Sequence, residues 1–349
     1  MKIRVQDTHI LCVVPSLSIS MDIDPPFQEK HRALFKNSIV RETNEDMLMA
    51  SQCELPLIDM NSLNVGHPDR EKCIKEMGEA ASEWGFFQVV NHGIPNEILE
   101  RLQYEQMMVF HEPFSKKSQD RFLNLPANSY IWGNSKATCL SQFSWSEAFH
   151  IPVTDISTMD GVRNLGSTIE AFVNLAASLA ESLAETLADN IGVKTNFFKE
   201  NCTTSSSYVR MNRYPPCPFS SQVYGLLPHT DSNFLTILYQ DQNGGLELLK
   251  DGNWLSVRPN PEALVINIGD FFQAFSNNIY RSTEHRVVAP QKVERFSMAF
   301  FYCPSYEAVI ESYIKPAKYR KFSFREYKQQ IQKDVQATGN KIGLSRFLL

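Results

Sequence analysis

An imidazole and a carboxylate, both costly to bury, open an otherwise apolar, β-branched run. The run is "HTDSNFLTILYQ", from His229 to Gln240. In an extended strand, residues two apart face the same way, so His229 and Asp231 point together while Thr230 points away. A carboxylate beside a core needs a positive partner. A metal ion would be one, but two ligands rarely make a site. A third is offered by His285 in "YRSTEHRVV", on a separate strand-like run.

Two histidines and one carboxylate on one face of a metal leave the opposite face open. That facial triad is the arrangement of non-haem Fe(II) oxygenases, whose open positions admit a bidentate cosubstrate and then dioxygen. Ten residues past His285 comes "ERFSMAFF", in which Arg295 and Ser297 share a strand face. An arginine fork beside a hydroxyl suits a carboxylate. In "MNRYPPCP", before the triad, Asn212 and Tyr214 again share a face, and a phenol aimed inward would complete a carboxylate clamp. His92, His111 and His150 are read as structural, since a lone histidine is more often packed than ligating.

The elements that must position these groups lie mostly after Ser205. There, short strand-like runs alternate with turn signals at Asn243–Gly244, Asp251–Gly252 and Asn277–Asn278. The pattern predicts an α+β fold: a jelly roll, or cupin-like double-stranded β-helix, with flanking helices and an N-terminal α/β region. Upstream, helical spacing marks three segments: Pro68 to Trp84, Glu97 to about His111, and Ser167 to Ile191, the last with Leu175, Leu179, Leu183 and Leu187 on one face. A buried strand is expected in "FFQVVNHGIP", and Ser323 with Glu326 makes a capping box for a C-terminal helix. The division that follows is an extension over 1–53, mostly disordered with room for one short helix; an N-terminal helical and α/β region over 54–195; a jelly-roll domain over 196–310; and a helical tail over 311–349.

Composition narrows the function. The chain has 349 residues, 43% of them hydrophobic, and a net charge of −5, so no nucleic-acid partner is indicated. No apolar run approaches the roughly 18–20 residues of a membrane span. Seven scattered cysteines form no CxxC pair, which points to reduced thiols and a cytoplasmic protein. Oligomeric state is not legible.

The pattern HxD, a distal His and RxS, preceded by NxYP, resembles the plant class of Fe(II)- and 2-oxoglutarate-dependent dioxygenases from about Leu55 to Tyr302. "FFQVVNHGIP", "GGLELLKDGNWLSV" and "INIGDFFQAFSN" match that class as well. More narrowly, "SYIWG", "SWSEAFHIP", "SSYVRMNRYPPCP" and "LLPHTDSNFLTILYQDQ" resemble gibberellin 2-oxidases, in particular the subgroup acting on twenty-carbon gibberellins. In that subgroup chains open with something like "MDPPF"; here "MDIDPPF" begins at Met21, so residues 1–20 read as an extension. One departure is Ile131 in "SYIWG", where the subgroup has a basic residue.

The resemblance implies iron held by His229, Asp231 and His285. It implies 2-oxoglutarate, with its distal carboxylate on Arg295, Ser297 and Tyr214 and with Asn212 beside them. Dioxygen is the oxidant and ascorbate the reductant used in vitro. The implied reaction is 2β-hydroxylation of a gibberellin, which inactivates the hormone. Another oxygenase on the same scaffold, acting on a different gibberellin carbon or a flavonoid, shares these motifs, and a noncatalytic gibberellin sensor is the reading from another class. The basic tail (Lys315, Lys318, Arg320, Lys321, Arg325, Lys328) reads as a solvated face; the substrate is a carboxylic acid, so one of these cations or a nearby tyrosine could hold it, with no particular one singled out. Trp132 and Phe143 could wall its pocket or simply pack.

Overall fold

Turn chemistry and strand alternation build the second half of the chain, and a few upstream segments complete it. The structure is a computed structural model describing residues 22–36, 50–160, 164–220, 222–339 and 341–349. Upstream strands are β1 (Ser51–Cys53), β2 (Leu57–Asp59), β3 (Phe86–Val90), β4 (Tyr130–Trp132) and β5 (Glu147–Pro152). After the long helix Leu165–Asn190 come β6 (Tyr208–Tyr214), β7 (Tyr224–His229), β8 (Leu235–Gln240) and β9 (Leu246–Lys250). The series ends with β10 (Asn253–Val257), β11 (Leu264–Ile268), β12 (His285–Val288) and β13 (Arg295–Tyr302).

These strands form a major sheet in the order β2-β3-β11-β8-β13-β6-β5-β4 and a minor sheet in the order β1-β10-β9-β12-β7. From β6 onward the chain crosses repeatedly between the two, which is the winding of a jelly roll. The turns at Asn243–Gly244, Asp251–Gly252 and Asn277–Asn278 form as expected: Gly244, Asp251, Gly252, Asn277 and Asn278 all have positive φ.

Alternation sorts the major sheet into two faces. Val209, Met211, Met298 and Phe300 join the main apolar core with Phe172, Val173, Leu179, Leu183 and Leu187 of the long helix. The intervening residues of β6 and β13 therefore face the minor sheet. Tyr214 shows this directly, since its ring packs against Gly225 on the opposing strand β7. Three of the four stripe leucines are buried in the core; Leu175 is only partly so.

The structure departs from the expected division in two places. Within the extension assigned to 1–53, residues 22–36 hold two one-turn helices, Phe27–Lys30 and Arg32–Phe35, and Ser51–Cys53 pairs in parallel with β10. Phe27 is 3% exposed and stacks on Trp145 at 4.5 Å, and Phe35 packs on Phe219 at 5.0 Å. Single turns carry no periodicity to read, and what anchors them is an aromatic cluster made by distant residues. Residues 1–21, Met21 among them, and 37–49 lie outside the described residues. Second, the segments 54–195 and 196–310 share one sheet, because β2–β5 supply both flanks of β6, β8, β11 and β13.

The tail begins as its capping box predicts. Ser323 Oγ accepts from the Glu326 amide at 3.1 Å, the helix Phe324–Thr338 follows, and Gly339 at φ +77° ends it. Tyr327, Leu344 and Phe347 then fold back into the main core.

Candidate active site

The three expected metal ligands come together where β7 and β12 pair. His285 sits directly opposite His229 in the antiparallel register, and their rings lie 4.3 Å apart. Asp231 follows on the turn into β8. Its Oδ1 is 3.6 Å from His229 Nε2 and 4.0 Å from His285 Nε2, too far for hydrogen bonds. The donor atoms of all three residues lie within 4.8 Å of one another.

The outer bonds fix which atoms face inward. His229 Nδ1 lies 2.7 Å from the Leu227 carbonyl and His285 Nδ1 lies 3.1 Å from that of Thr283. Carbonyls only accept, so each ring carries its proton on Nδ1 and turns a bare Nε2 to the centre. Asp231 Oδ2 accepts from Thr236 Oγ1 at 2.7 Å and Asn267 Nδ2 at 2.5 Å, leaving Oδ1 for the centre. Two imidazole lone pairs and one carboxylate oxygen converge with no proton between them. That donor set fits a divalent cation and repels itself without one.

Electrostatics follow from this geometry. Burial pushes the His229 imidazole down to about 4, and the neighbouring His285 pushes the same way. Burial would raise the Asp231 carboxyl, but His285, His229 and the Thr236 hydroxyl hold it below its ordinary value. Neutral imidazole and ionised carboxylate are the forms that ligate a metal.

The second cluster lies on the same inner face. Arg295 pairs with Tyr214 and Ser297 with Asn212 across β13 and β6. Arg295 is 2% exposed. It donates from Nε to the Gly244 carbonyl at 2.5 Å, from Nη1 to Ser297 Oγ at 3.3 Å and from Nη2 to Gln240 Oε1 at 2.7 Å. A guanidinium has five N–H groups, so one remains on each terminal nitrogen, a pair spaced for a carboxylate. The guanidinium also stacks over the Tyr214 ring, 4.9 Å from its centroid. Asn212 Nδ2 reaches Ser297 Oγ at 3.5 Å, while its Oδ1 accepts from Arg210 Nε at 3.0 Å.

Other residues fall outside both clusters. His111 bonds Glu294 at 2.7 Å, and His92 Nδ1 accepts the Ile94 amide at 3.2 Å, both structural as expected. Trp132 and Phe143 pack around Phe27 at 5.8 and 6.0 Å. His150 is the cross-strand partner of Arg210, on the face towards the minor sheet, and its ring packs on Tyr208 at 4.4 Å.

Sequence reasoning misses Thr236, Asn267 and Gln240, which orient the site's charged groups. All three are polar residues in apolar strands, the same signal that marks His229 and Asp231. It also misses Gly225, where an added Cβ would lie 2.7 Å from Tyr214 Cδ1.

Residues 205–304 match the family described as the 2OG-Fe(II) oxygenase superfamily. Residues 55–164 match that described as the non-haem dioxygenase in morphine synthesis N-terminal region. Among curated proteins, the chain is 52% identical to gibberellin 2-beta-dioxygenase 8 of Arabidopsis thaliana, over 93% of this chain and 99% of that one. It is 43% identical to gibberellin 2-beta-dioxygenase 6 of Oryza sativa subsp. japonica, over 93% and 96%. Two crystal structures share the fold. JOX2 in complex with 2OG, Fe and JA matches at a TM-score of 0.70 and 27% identity, over 86% of this chain and 92% of that one. The dioxygenase for auxin oxidation in rice matches at 0.71 and 26%, over 85% and 100%.

Proposed function

We infer the activity from one premise: the chain belongs to the gibberellin 2-beta-dioxygenase family, within the 2OG-Fe(II) oxygenase superfamily. It is an enzyme that uses Fe(II), 2-oxoglutarate and dioxygen to hydroxylate a gibberellin at the 2β position. The observation that carries the chemistry is the convergence of His229 Nε2, Asp231 Oδ1 and His285 Nε2 on one centre.

His229, Asp231 and His285 are the iron ligands in this reading. When bound, iron with 2-oxoglutarate and dioxygen supplies the oxidising power to hydroxylate an unactivated carbon. The chain's own work is to hold and orient. Thr236 and Asn267 keep one carboxylate oxygen of Asp231 turned away from the metal, so the other ligates alone. Arg295 presents its two remaining N–H groups to the distal carboxylate of 2-oxoglutarate, with Ser297, Tyr214 and Asn212 around them. Phe86, buried and edge-on to His285 at 5.2 Å, gives that ligand an apolar neighbour that helps to hold its ring.

Twenty-carbon gibberellins are the preferred substrates in this reading, on the strength of the "SYIWG" and "SWSEAFHIP" stretches. A cytoplasmic location accords with six free cysteines among the described residues. Among the described residues no helix is long and apolar enough to cross a membrane. A fluorescent fusion confined to an organelle would overturn the location.

The test is a product assay. Purified protein is given Fe(II), 2-oxoglutarate, ascorbate and gibberellins of both carbon numbers, and products are read by mass spectrometry. The expected result is a 2β-hydroxylated product from the twenty-carbon members. Consumption of 2-oxoglutarate with no gibberellin product would keep the oxygenase and discard the substrate. Neither product nor consumption in iron-loaded protein would favour the sensor.

A further inference from the structure

The inner face of β6 carries a cation that the oxygenase chemistry described above does not use. Arg210 lies between Asn212 and Tyr208 on that strand, opposite Ala299 of β13 on one side and His150 of β5 on the other. Alternation puts it on the face that carries Asn212 and Tyr214, towards the minor sheet. Its position along the strand is informative. One step of two residues leads to the level of Asn212 and Ser297, in the 2-oxoglutarate clamp. One step the other way leads to Tyr208, level with Phe301 and Thr236, and Thr236 fastens Asp231. At about 3.3 Å per residue, Arg210 is within roughly 7 Å along the strand of either level.

The charge of Arg210 is unanswered. Its only side-chain bond among the described residues runs from Nε to Asn212 Oδ1 at 3.0 Å, which leaves both terminal nitrogens with their N–H groups unused. It has no acidic partner among the described residues. The neighbouring arginines do: Arg213 pairs with Glu147, Glu294 and Asp24, and Arg286 with Glu247. The carboxylates that act on its neighbours, Asp155 on His150 and Asp231 on Tyr208, make no ion pair with it among the described residues. His150 stacks on Tyr208 at 4.4 Å, and burial, then Arg210 and Lys328, push its imidazole down to about 4. Among the described residues Lys328 bonds the Tyr306 hydroxyl alone, at 3.2 Å, and lies over the Phe324 and Tyr306 rings. A half-buried guanidinium beside a neutral imidazole, facing the metal's chamber, calls for an anion. The distal carboxylate of 2-oxoglutarate already has Arg295.

We propose that Arg210 anchors the carboxylate of the gibberellin substrate, with its two terminal nitrogens as a bidentate fork and His150 and Tyr208 as the flanking wall. The assignment rests on the gibberellin reading and deepens it. A rigid polycyclic acid held at its carboxylate has few ways left to turn, so one anchor at a fixed distance from the metal selects which ring carbon is oxidised. It also accommodates Ile131. The edge strand β4 carries Ile131 opposite Ala148, and Ala148 sits opposite Asn212. The basic residue that the resemblance implies at that position has a counterpart in Arg210, two strands inward.

The test compares a gibberellin with its methyl ester, which keeps the shape and removes the charge. Binding is measured without oxygen on protein loaded with manganese(II) and 2-oxoglutarate, and kcat/KM on the iron enzyme. Wild type is expected to prefer the acid by roughly 10- to 100-fold, the worth of a charge-assisted bond. In Arg210→Met the acid-to-ester ratio should fall to near one, and in Arg210→Lys it should be partly retained. An unchanged ratio in Arg210→Met overturns the anchor, because a residue that merely supports Asn212 would weaken acid and ester alike. Should Arg210→Met fail to fold, a wild type indifferent to esterification, or an Arg210→Lys with the full wild-type ratio, overturns it equally. Wild type that binds neither acid nor ester overturns the gibberellin reading itself.

Discussion

Thr236 Oγ1 donates to Asp231 Oδ2 at 2.7 Å, and that bond decides how many oxygens Asp231 offers a metal. With Asn267 on the same oxygen at 2.5 Å, only Oδ1 is left facing His229 and His285. Thr236→Val keeps the shape and removes the donor. It is expected to weaken Fe(II) binding about 10- to 100-fold, the usual cost of losing an outer partner of a metal ligand. His229→Ala should abolish binding altogether. Titration with Fe(II) or manganese(II), read by calorimetry, checks both. A Thr236→Val protein that binds metal like wild type would show that the hydroxyl does not orient the carboxylate.

Gln240 controls the other charged group of the site. Its Oε1 accepts from Arg295 Nη2 at 2.7 Å and holds the guanidinium plane. Arg295→Ala should weaken 2-oxoglutarate roughly 10- to 100-fold, as the fork is lost. Gln240→Leu leaves the charge and loosens its aim, so a smaller rise in the 2-oxoglutarate KM, about 5- to 10-fold, is expected. Gibberellin affinity should move little in either variant. The cosubstrate KM distinguishes them, and equal KM values in Arg295→Ala and wild type would place the clamp elsewhere.

Gly225 is small because Tyr214 occupies the space a side chain would need. A Cβ there would lie 2.7 Å from Tyr214 Cδ1 and 3.2 Å from Val287 Cγ1. Gly225→Ala must therefore push the ring, and with it the clamp. The expected cost is about 1–3 kcal/mol of stability, typical of overpacking, together with a raised 2-oxoglutarate KM. Thermal unfolding and kinetics on the same preparation measure the two effects. A stable variant with unchanged KM would mean that Tyr214 does not touch the cosubstrate.

Strand period alone makes much of this site readable. His229 and Asp231, Arg295 and Ser297, and Asn212 and Tyr214 are each paired by a step of two. What period cannot supply is register between strands far apart in sequence. Gln240 meets Arg295, and Arg210 meets His150, only because β8, β13, β6 and β5 are neighbours in one sheet. The same limit hides the role of residues 22–36. Two single-turn helices have no repeat to detect, and their anchors are the distant Lys117, Arg213 and Trp145.

Those anchors make a last prediction. Lys117 is fully buried, on the side of the major sheet away from the metal, and bonds both oxygens of the buried Glu147, at 2.9 and 2.6 Å. It also donates to the Ile23 carbonyl at 2.8 Å, while Arg213 joins Glu147 at 2.6 Å and Asp24 at 2.8 Å. The N-terminal segment is thus tied to a buried ion cluster from two points. Burial lowers the Lys117 ammonium and Glu147 opposes that shift, so the pair depends on both members. Lys117→Met removes one and leaves Glu147 undercompensated, at an expected cost of about 3–5 kcal/mol. Asp24→Asn breaks a bond whose acid is half exposed, and should cost no more than about 1 kcal/mol. Denaturant unfolding measures the difference, and limited proteolysis should cut Lys117→Met near residues 22–36 well before wild type. Equal stability losses in the two variants would mean that the segment is held by its aromatic contacts alone, with Phe27 against Trp145 doing what the ion cluster does not.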